Sequence, residues 1–174
     1  KILLAIDPKK DVDGFHPANF GRMALELDAF IPATPFGIMQ LLERYKVPPS
    51  GKHCVVVGRS HIVGRPISIL MSQKGPAGNA TVTVAHSRTE NLDMLTRSAD
   101  IVIMALGIPE YLTADMVKEG VVIIDVGITR VPDKKHPKGY VIKGDVAYEE
   151  VSKKDAHEST FKTVHSITDI LRFL

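Results

Sequence analysis

The chain has 174 residues, of which 44% are hydrophobic and 24% charged, the ordinary composition of one water-soluble globular domain. Its formal net charge of +2 comes from 22 basic and 20 acidic residues that are scattered along the sequence, which argues against a nucleic-acid partner. The single cysteine, Cys54, excludes an internal disulfide and favours a reducing compartment such as the cytoplasm, and no apolar run is long enough to predict a membrane partner.

The first fifty residues predict a loop followed by a connecting helix. Segment 7–21 is rich in Pro, Gly, Asn and Asp, which is typical of a loop. A helix over 35–46 is predicted, with Thr34 as its N-cap and a proline at its first position. The sequence PPSG at 48–51 then interrupts the chain. Residues 1–49 are therefore expected to form an interdomain loop and connecting helix.

The middle of the chain alternates between apolar runs and helical segments. The runs are short and show no in–out alternation, which predicts strands buried on both faces, as in a parallel sheet covered by helices. These runs are 54–57, 81–85, 100–106 and 121–126. The helices predicted between them cover 63–73, 91–97 and 113–120. This order predicts an α/β fold, a Rossmann-like doubly wound parallel sheet over residues 50–154.

The strongest local signal is the sequence GRSHIVGRP at 58–66, directly after the first apolar run. A glycine at the end of a strand allows a tight turn and lets a phosphate approach the backbone. The helix that follows offers free N–H groups and the positive end of its dipole. Gly58 and Gly64 are six residues apart, so the usual dinucleotide fingerprint is not satisfied and an ordinary strand–helix turn is an equal alternative.

The end of the second apolar run adds information about the cofactor. In a dinucleotide-binding sheet this position faces the adenosine ribose, and an NAD site usually places a carboxylate there. Here Ser87 and Arg88 follow the run, and no carboxylate comes before Glu90. Arg59 can add a second guanidinium, whose planar fork suits a phosphate. We therefore expect a pocket for a 2′-phosphate, hence NADP rather than NAD; the alternative is a solvated polar turn.

Several motifs occur together in one order, at 11–22, 34–37, 58–66, 124–128 and 144–146. In this arrangement the chain resembles the bifunctional methylenetetrahydrofolate dehydrogenase/methenyltetrahydrofolate cyclohydrolase family over about residues 1–154. The resemblance implies hydride transfer from 5,10-methylenetetrahydrofolate to NADP⁺, followed by hydrolysis of the methenyl product to 10-formyltetrahydrofolate. It also implies a cytoplasmic homodimer that serves one-carbon metabolism and purine biosynthesis.

The resemblance also implies roles for individual residues. Asp13 matches the carboxylate that binds the pterin ring of a tetrahydrofolate-type substrate, although a turn or capping aspartate is the default for such a residue. Ser87 matches the residue beside the 2′-phosphate, and Ile128 matches a main-chain contact near the nicotinamide. The predicted cofactor-binding set is Gly58, Arg59, Ser60, Ser87, Arg88 and Ile128.

Two departures from the family limit what the chain is expected to do. The family's catalytic lysine and its partner tyrosine lie in a preceding N-terminal domain, which this sequence lacks, so no catalytic residue is assigned. Residues 155–174 do not resemble the family's glycine-rich loop, and we expect an atypical tail with one apolar helical face over 163–174. A truncated or frame-shifted reading frame, or an artificial join, is the hypothesis for the altered tail. The exposed apolar surfaces would favour self-association.

Two rival functions stay open. The chain could be a non-catalytic NAD(P)-binding remnant, or part of another NAD(P)-dependent dehydrogenase, of the shikimate dehydrogenase type. Segment 11–22 speaks against the second, because that type of enzyme has no use for such a loop. The seven histidines show no paired ligand spacing, so no metal site is predicted.

Overall fold

The structure is a computed structural model that describes residues 2–154 and 164–166. The helices α1 to α5 are Pro17–Ala24, Ala33–Arg44, Gly64–Ser72, Leu92–Ser98 and Tyr148–Lys154. The strands β1 to β7 are His53–Val57, Thr81–Ala85, Ile101–Met104, Val122–Asp125, Thr129–Pro132, Tyr140–Lys143 and Val164–Ser166. Short 3-10 turns lie at Leu3–Ala5, Pro8–Lys10 and Ala114–Met116. Within the described residues, no helix combines the length and the apolar character needed to cross a membrane.

The main sheet is parallel, with the strand order β2-β1-β3-β4-β7. Val57 at the end of β1 stands opposite Ala85 of β2 and Met104 of β3, and Met104 stands opposite Asp125 of β4. The strands therefore end at one common edge. Strands β5 and β6 form a separate antiparallel hairpin, which the sequence did not predict. The predicted doubly wound α/β fold is confirmed.

Alternate side chains of the central strands are buried on opposite faces of the sheet. Val55 and Val57 belong to a cluster on one face, together with residues of α4 and α5. Cys54 and Val56 belong to a cluster on the other face, with Ile38 of α2 and residues of α3. All the residues of β3 are buried. Burying each such aliphatic side chain contributes about 1.5 to 3 kcal/mol, so the apolar runs hold the turns at the sheet edge in place.

The N-terminal expectations are corrected at two points. Within segment 7–21 the chain is not loop to its end, because α1 begins at Pro17 after His16, whose Nδ1 accepts a hydrogen bond from the N–H of Ala18. Helix α2 begins at Ala33, so Thr34 lies inside its first turn rather than at the N-cap. The proline after Thr34 is tolerated there because first-turn N–H groups have no partner within a helix.

The helix predicted over 113–120 is wrong. The structure has only a 3-10 turn at Ala114–Met116, and Val117 is extended and buried. The carbonyl of Met116 accepts a hydrogen bond from Oγ1 of Thr96 at 2.6 Å, so a side chain of α4 replaces the next helical N–H. Burial of Val117 in the core thus outweighs the local helical signals.

The predicted tail, 155–174, lies outside the described residues except for 164–166. Those residues form β7, which pairs with β4 in parallel, so the helix expected over 163–174 is wrong for them. Pairing with the exposed edge of β4 supplies backbone hydrogen bonds that an isolated helical turn would not gain.

Cys54 offers a simple test of the core. Its side chain is buried in β1, and burial raises the pKa of the thiol to about 12, which keeps it protonated. We expect no reaction with a thiol-specific disulfide reagent while the protein is folded, and complete reaction after unfolding in guanidinium chloride. Equal reaction rates in the folded and unfolded protein would contradict the burial of β1.

Candidate functional site

The turns that follow β1, β2, β3 and β4 meet at the common edge of the sheet. The N–H of Gly58 donates to the carbonyl of Ala85 at 2.8 Å, which joins the first turn to the end of β2. The N–H of Ala105 donates to Val57 at 2.8 Å, and the N–H of Val126 donates to Met104 at 2.9 Å. Parallel pairing thus places 58–63, 86–91, 105–109 and 126–128 side by side. Open α/β sheets bind ligands in the crevice at such an edge. We call this edge the cleft.

Glycine is required at two positions of the first turn. Gly58 has a φ of 143°, and a Cβ there would lie 2.3 Å from the carbonyl oxygen of Ala105. A Cβ on Gly64 would lie 2.2 Å from the carbonyl oxygen of Gly58. Both contacts are with backbone atoms, which cannot rotate away. The two glycines therefore let α3 begin directly behind a tight turn that a phosphate can approach.

Ser60 caps the helix behind this turn. Its Oγ accepts hydrogen bonds from the N–H groups of Val63 and Gly64, at 3.0 and 3.3 Å. The hydroxyl keeps its own hydrogen for donation to an anion. The N–H groups of residues 59–62 make no hydrogen bond to other parts of the described chain. The turn thus presents free donors at the N-terminus of α3.

The second turn carries exposed polar side chains. Its shape comes from His86, whose N–H donates to Oγ1 of Thr89 at 2.9 Å and whose carbonyl accepts from the N–H of Thr89 at 2.8 Å. Ser87 and Arg88 are exposed, as is Arg59 in the first turn. Within residues 2–154, neither guanidinium forms an ion pair. Two unneutralised guanidinium groups thus follow neighbouring strands, as the sequence predicts.

One further arginine belongs to this edge but not to the predicted set. Arg65 is exposed in the first turn of α3, next to Gly64. Its position directly after the second glycine is the signal that could have pointed to it. Together with Arg59 and Arg88, it makes this end of the cleft positively charged.

The third and fourth turns are held by buried carboxylates that the predicted set also omits. Ile128, 48% exposed, follows Gly127 at the end of β4. The N–H of Gly127 donates to Oδ1 of the buried Asp125 at 2.9 Å. On the third turn, the N–H of Gly107 donates to Oδ2 of the buried Asp145, also at 2.9 Å. A carboxylate at the end of an apolar strand, beside a glycine, is the signal that could have revealed Asp125.

The two aspartates of the N-terminal motif have different environments. Asp11 is 5% exposed and accepts hydrogen bonds from the N–H groups of Phe15 and His16 and from Nδ2 of Asn19. Asp13 is exposed and has no hydrogen bond or ion pair within the described part of the chain. The turn-forming aspartate is therefore Asp11, which leaves the carboxylate of Asp13 available. No described hydrogen bond joins Asp13 to the cleft.

This difference predicts opposite effects of two alanine substitutions. Asp11→Ala leaves buried donors unpaired and should lower the free energy of unfolding by about 1 to 3 kcal/mol. Asp13→Ala, the matched control, should change it by less than about 0.5 kcal/mol. Chemical denaturation of both variants measures the difference, and equal destabilisation would contradict the assignment of the turn to Asp11.

The contribution of Asp11 should also depend on pH. Burial acts to raise its pKa, but the hydrogen bonds from Asn19, His16 and Phe15 outweigh burial and hold the pKa below its ordinary value of 3.8. The stabilisation is therefore complete above pH 3.8 and is lost as the pH falls through the lowered pKa. The stability difference between the wild type and Asp11→Ala should shrink over that acid range.

Several histidines act as turn acceptors. The Nδ1 atoms of His16, His86 and His136 each accept a hydrogen bond from the N–H two residues later. In β1, Nε2 of His53 lies 2.9 Å from Oγ1 of Thr83. In the part of the chain that the structure describes, His, Cys, Asp and Glu side chains form no group of three that could hold a metal ion.

Comparison with known proteins gives a consistent result. Residues 32–168 match the family described as the tetrahydrofolate dehydrogenase/cyclohydrolase, NAD(P)-binding domain. The bifunctional protein FolD of Flavobacterium johnsoniae is 73% identical over 154 residues, covering 88% of this chain and 52% of the relative. That of Flavobacterium psychrophilum is 67% identical, covering 90% of this chain and 53% of the relative. The chain thus spans about half the length of the curated relatives it matches.

Solved structures show the same likeness. The bifunctional FolD enzyme of Campylobacter jejuni is 47% identical, with a TM-score of 0.79 over 89% of this chain and 52% of that protein. A Trypanosoma brucei methylenetetrahydrofolate dehydrogenase-cyclohydrolase, solved with NADP cofactor and inhibitor, is 36% identical, with a TM-score of 0.78 over 86% and 50% of the two chains. The family match covers most of this sequence, and the chain therefore belongs to the tetrahydrofolate dehydrogenase/cyclohydrolase family, of which it carries the NAD(P)-binding domain.

Proposed function

We propose that this chain is the cofactor-binding part of an NADP-dependent methylenetetrahydrofolate dehydrogenase/methenyltetrahydrofolate cyclohydrolase. One observation supports this most directly: the exposed guanidinium groups of Arg59 and Arg88 follow neighbouring parallel strands, beside the Gly58 turn. A 2′-phosphate needs positive charge at this place, and an NAD site needs a carboxylate. Membership of the family supplies the chemistry of the reaction.

The residues of the cleft fit a dinucleotide. The free N–H groups of 59–62 and the N-terminus of α3 suit the pyrophosphate, and Ser60 can donate its hydroxyl hydrogen. Ser87 and Arg88 suit the 2′-phosphate, together with Arg59. The main chain at Ile128 is our candidate contact near the nicotinamide. When bound, NADP⁺ supplies the hydride acceptor of the dehydrogenase step.

The part of the proposal that concerns substrate binding depends on Asp13. An exposed carboxylate without partners can accept two N–H bonds from the aminopyrimidine edge of a tetrahydrofolate-type substrate. No general acid or base is assigned among the described residues. The cyclohydrolase activity, the role in one-carbon metabolism and purine biosynthesis, the homodimer and the cytoplasmic location follow from the family resemblance and are part of the same proposal.

Domain division is proposed on the same basis. Residues 50–154 would form the NAD(P)-binding domain, and residues 1–49 would connect it to a catalytic domain. Helix α2 lies in that connection and contributes Ile38 to the core of the sheet, which would keep the connection close to the cofactor domain.

A hybrid protein tests this proposal. The part of the F. johnsoniae relative that this chain does not match would be joined to the chain, which is 73% identical to the remainder. Both the 174-residue chain and the hybrid should bind NADPH with enhanced fluorescence. Only the hybrid should form NADPH from NADP⁺ and methylenetetrahydrofolate and hydrolyse methenyltetrahydrofolate. The substitution Asp13→Ala in the hybrid should raise the KM for the folate substrate and should leave the affinity for NADPH unchanged.

Three other outcomes would contradict the proposal. A hybrid that binds NADPH but is inactive with folates would favour a non-catalytic binding module. Activity with shikimate instead of folates would favour the other class of dehydrogenase. Equal use of NAD and NADP would contradict the assigned cofactor.

A further inference from the structure

Asp125 and Asp145 are two buried carboxylates directly below the cleft. Asp125 ends β4 and is 4% exposed, and Asp145 follows β6 and is fully buried. The N–H of Asp145 donates to Oδ1 of Asp125 at 2.9 Å, so the two residues are in contact. We call them the buried carboxylate pair.

The pair ties together the chain after β3, β4 and β6. Oδ2 of Asp145 accepts from the N–H groups of Leu106 and Gly107, at 2.6 and 2.9 Å. Asp125 accepts from Gly127 through Oδ1 at 2.9 Å and from Val146 through Oδ2 at 3.1 Å. The turns that carry Gly107 and Gly127 are therefore held from below by two buried side chains.

Glycines make this contact possible. A Cβ on Gly127 would lie 2.3 Å from Oδ1 of Asp145, and one on Gly144 would lie 1.9 Å from Oδ2 of Asp125. The carboxyl groups thus lie directly against the backbone.

Among the side chains that the structure describes, charged groups on the packed elements form no ion pair with the two aspartates. Lys143 of β6 and Glu110 after β3 form an ion pair with each other. The acidic residues at 149–150 in α5 are exposed, and on β7 His165 stands in register with Ile124. Within the described residues, no basic side chain forms an ion pair with either aspartate. Two buried carboxylates on residues in direct contact would repel each other strongly if both were charged.

One oxygen of the pair has no partner. Oδ1 of Asp145 is buried and makes no hydrogen bond. A full negative charge on an unpartnered buried oxygen is costly, whereas a carboxyl group that holds a proton avoids that cost. In agreement, burial raises the pKa of Asp125 and the charge of Asp145 raises it further, against the three N–H groups that lower it.

We propose that Asp125 and Asp145 share one proton and act together as positioning residues of the cofactor cleft. With one proton the pair carries a single charge and holds the turns after β3, β4 and β6 in the arrangement described. Loss of that proton at higher pH places two charges side by side, and the turns loosen. The consequence for cofactor binding rests on the proposed function, whereas the holding of the turns does not.

The pH dependence of stability follows from the direction in which the pKa of Asp125 is shifted. Because the pKa of Asp125 is raised above its ordinary value of 3.8, the folded protein holds a proton that the unfolded chain has already lost. The stabilisation is therefore greatest at low pH and decreases as the pH rises toward the raised pKa. This is opposite to the behaviour of Asp11.

Asp145→Asn is the variant that tests the pair. Its carboxamide oxygen can still accept from the N–H groups of Leu106 and Gly107, and its NH2 group takes the place of the unpartnered oxygen. The substitution therefore keeps the shape and removes one carboxyl group. The matched control is Asp133→Asn, directly after β5, where the carboxamide oxygen can still accept from the N–H of Lys135; it should behave as the wild type.

Two measurements on the full chain are made between about pH 5 and pH 9, a range that spans raised carboxyl pKa values. In the wild type, the hydrogen-exchange protection factors of the Leu106 and Gly107 amides, corrected for intrinsic rates, should fall by about tenfold as the pH rises. This is the change expected when the loss of one proton is linked to opening of the turn over one pH unit. The Kd for NADPH should rise by about threefold or more. In Asp145→Asn, the protection factors should fall by clearly less over the same range, because the charge of Asp145 no longer raises the pKa of Asp125 while burial still does, and the Kd should lose the same part of its pH dependence.

The two readouts separate this inference from the proposed function. Titration of the NADPH 2′-phosphate occurs with both proteins, so only the difference between their profiles reports the pair. Parallel profiles in the wild type and Asp145→Asn, or a wild type without pH-dependent protection, would overturn the shared proton. Normal pH-dependent protection without NADPH binding would leave the pair in place and contradict the proposed function.

Discussion

Replacing Arg59 with Ala is expected to weaken binding of NADP by about ten- to hundredfold, since a charge-assisted hydrogen bond contributes about 1.5 to 3 kcal/mol. Binding of NAD should change by less than about threefold, since NAD lacks the 2′-phosphate that the guanidinium would contact. Arg59 is exposed and forms no described ion pair, so its loss should leave the fold intact. Calorimetric titration of the variant with both cofactors measures the two effects.

Arg97→Ala is the matched control for this experiment. Arg97 is also an exposed arginine, but it lies in the last turn of α4 and forms an ion pair with Asp93. The adjacent Ser98 lies near His53, where the strands begin, which places Arg97 at the opposite end from the cleft. Its loss should alter neither affinity. Equal weakening of NADP and NAD by Arg59→Ala would mean that no 2′-phosphate is bound there.

Replacing Gly58 with Ala is expected to lower the free energy of unfolding by about 2 to 4 kcal/mol, because it combines a strained backbone angle with overpacking. The φ of 143° is one that L side chains rarely adopt, and the added Cβ would lie 2.3 Å from the carbonyl oxygen of Ala105. To relieve that contact, the first turn must move away from β3. The variant should therefore also lose NADP binding at temperatures where it is still folded.

Gly21→Ala separates this effect from a general response to losing glycine. Gly21 lies in α1, its φ is ordinary and a Cβ there would have no neighbour within 4 Å. An added methyl group in a helix interior should stabilise the protein by about 0.5 to 1 kcal/mol. Thermal unfolding of Gly58→Ala and Gly21→Ala measures the two effects. Destabilisation of similar size in both variants would show that the turn at Gly58 has no special geometry.

The parts of the fold that the sequence predicts best are those governed by burial. The apolar runs ending near Val57 and Met104 are strands because both faces of each are covered. The run ending at Ala85 forms the edge strand β2, which is only partly buried, so the expectation that both its faces are covered is wrong. Once the strands are parallel, their ends must share an edge. The sequence alone therefore predicts that Gly58 and Ser87 lie at the same edge of the sheet, although they are far apart along the chain.

Features that depend on long-range contacts could not be predicted in this way. Thr113 has the local signals of a helix start, but the side chain of Thr96 and the burial of Val117 end the turn after one 3-10 unit. Asp145 belongs to the motif at 144–146, but its role is not visible until the fold places it under Leu106. The tip of the β5–β6 hairpin does carry turn residues, Asp133, Pro137 and Gly139, but its two strands of four residues are too short to show a periodic pattern.

Titration of the 174-residue chain with NADP and with NAD tests the cofactor assignment most directly. The arginine-bearing turns at Arg59 and Arg88 predict saturable binding of NADP, with a Kd at least about tenfold lower than that for NAD, as expected for one charge-assisted contact to the 2′-phosphate. Failure to bind either cofactor, or equal affinity for both, would contradict the assignment of this edge of the sheet as an NADP site.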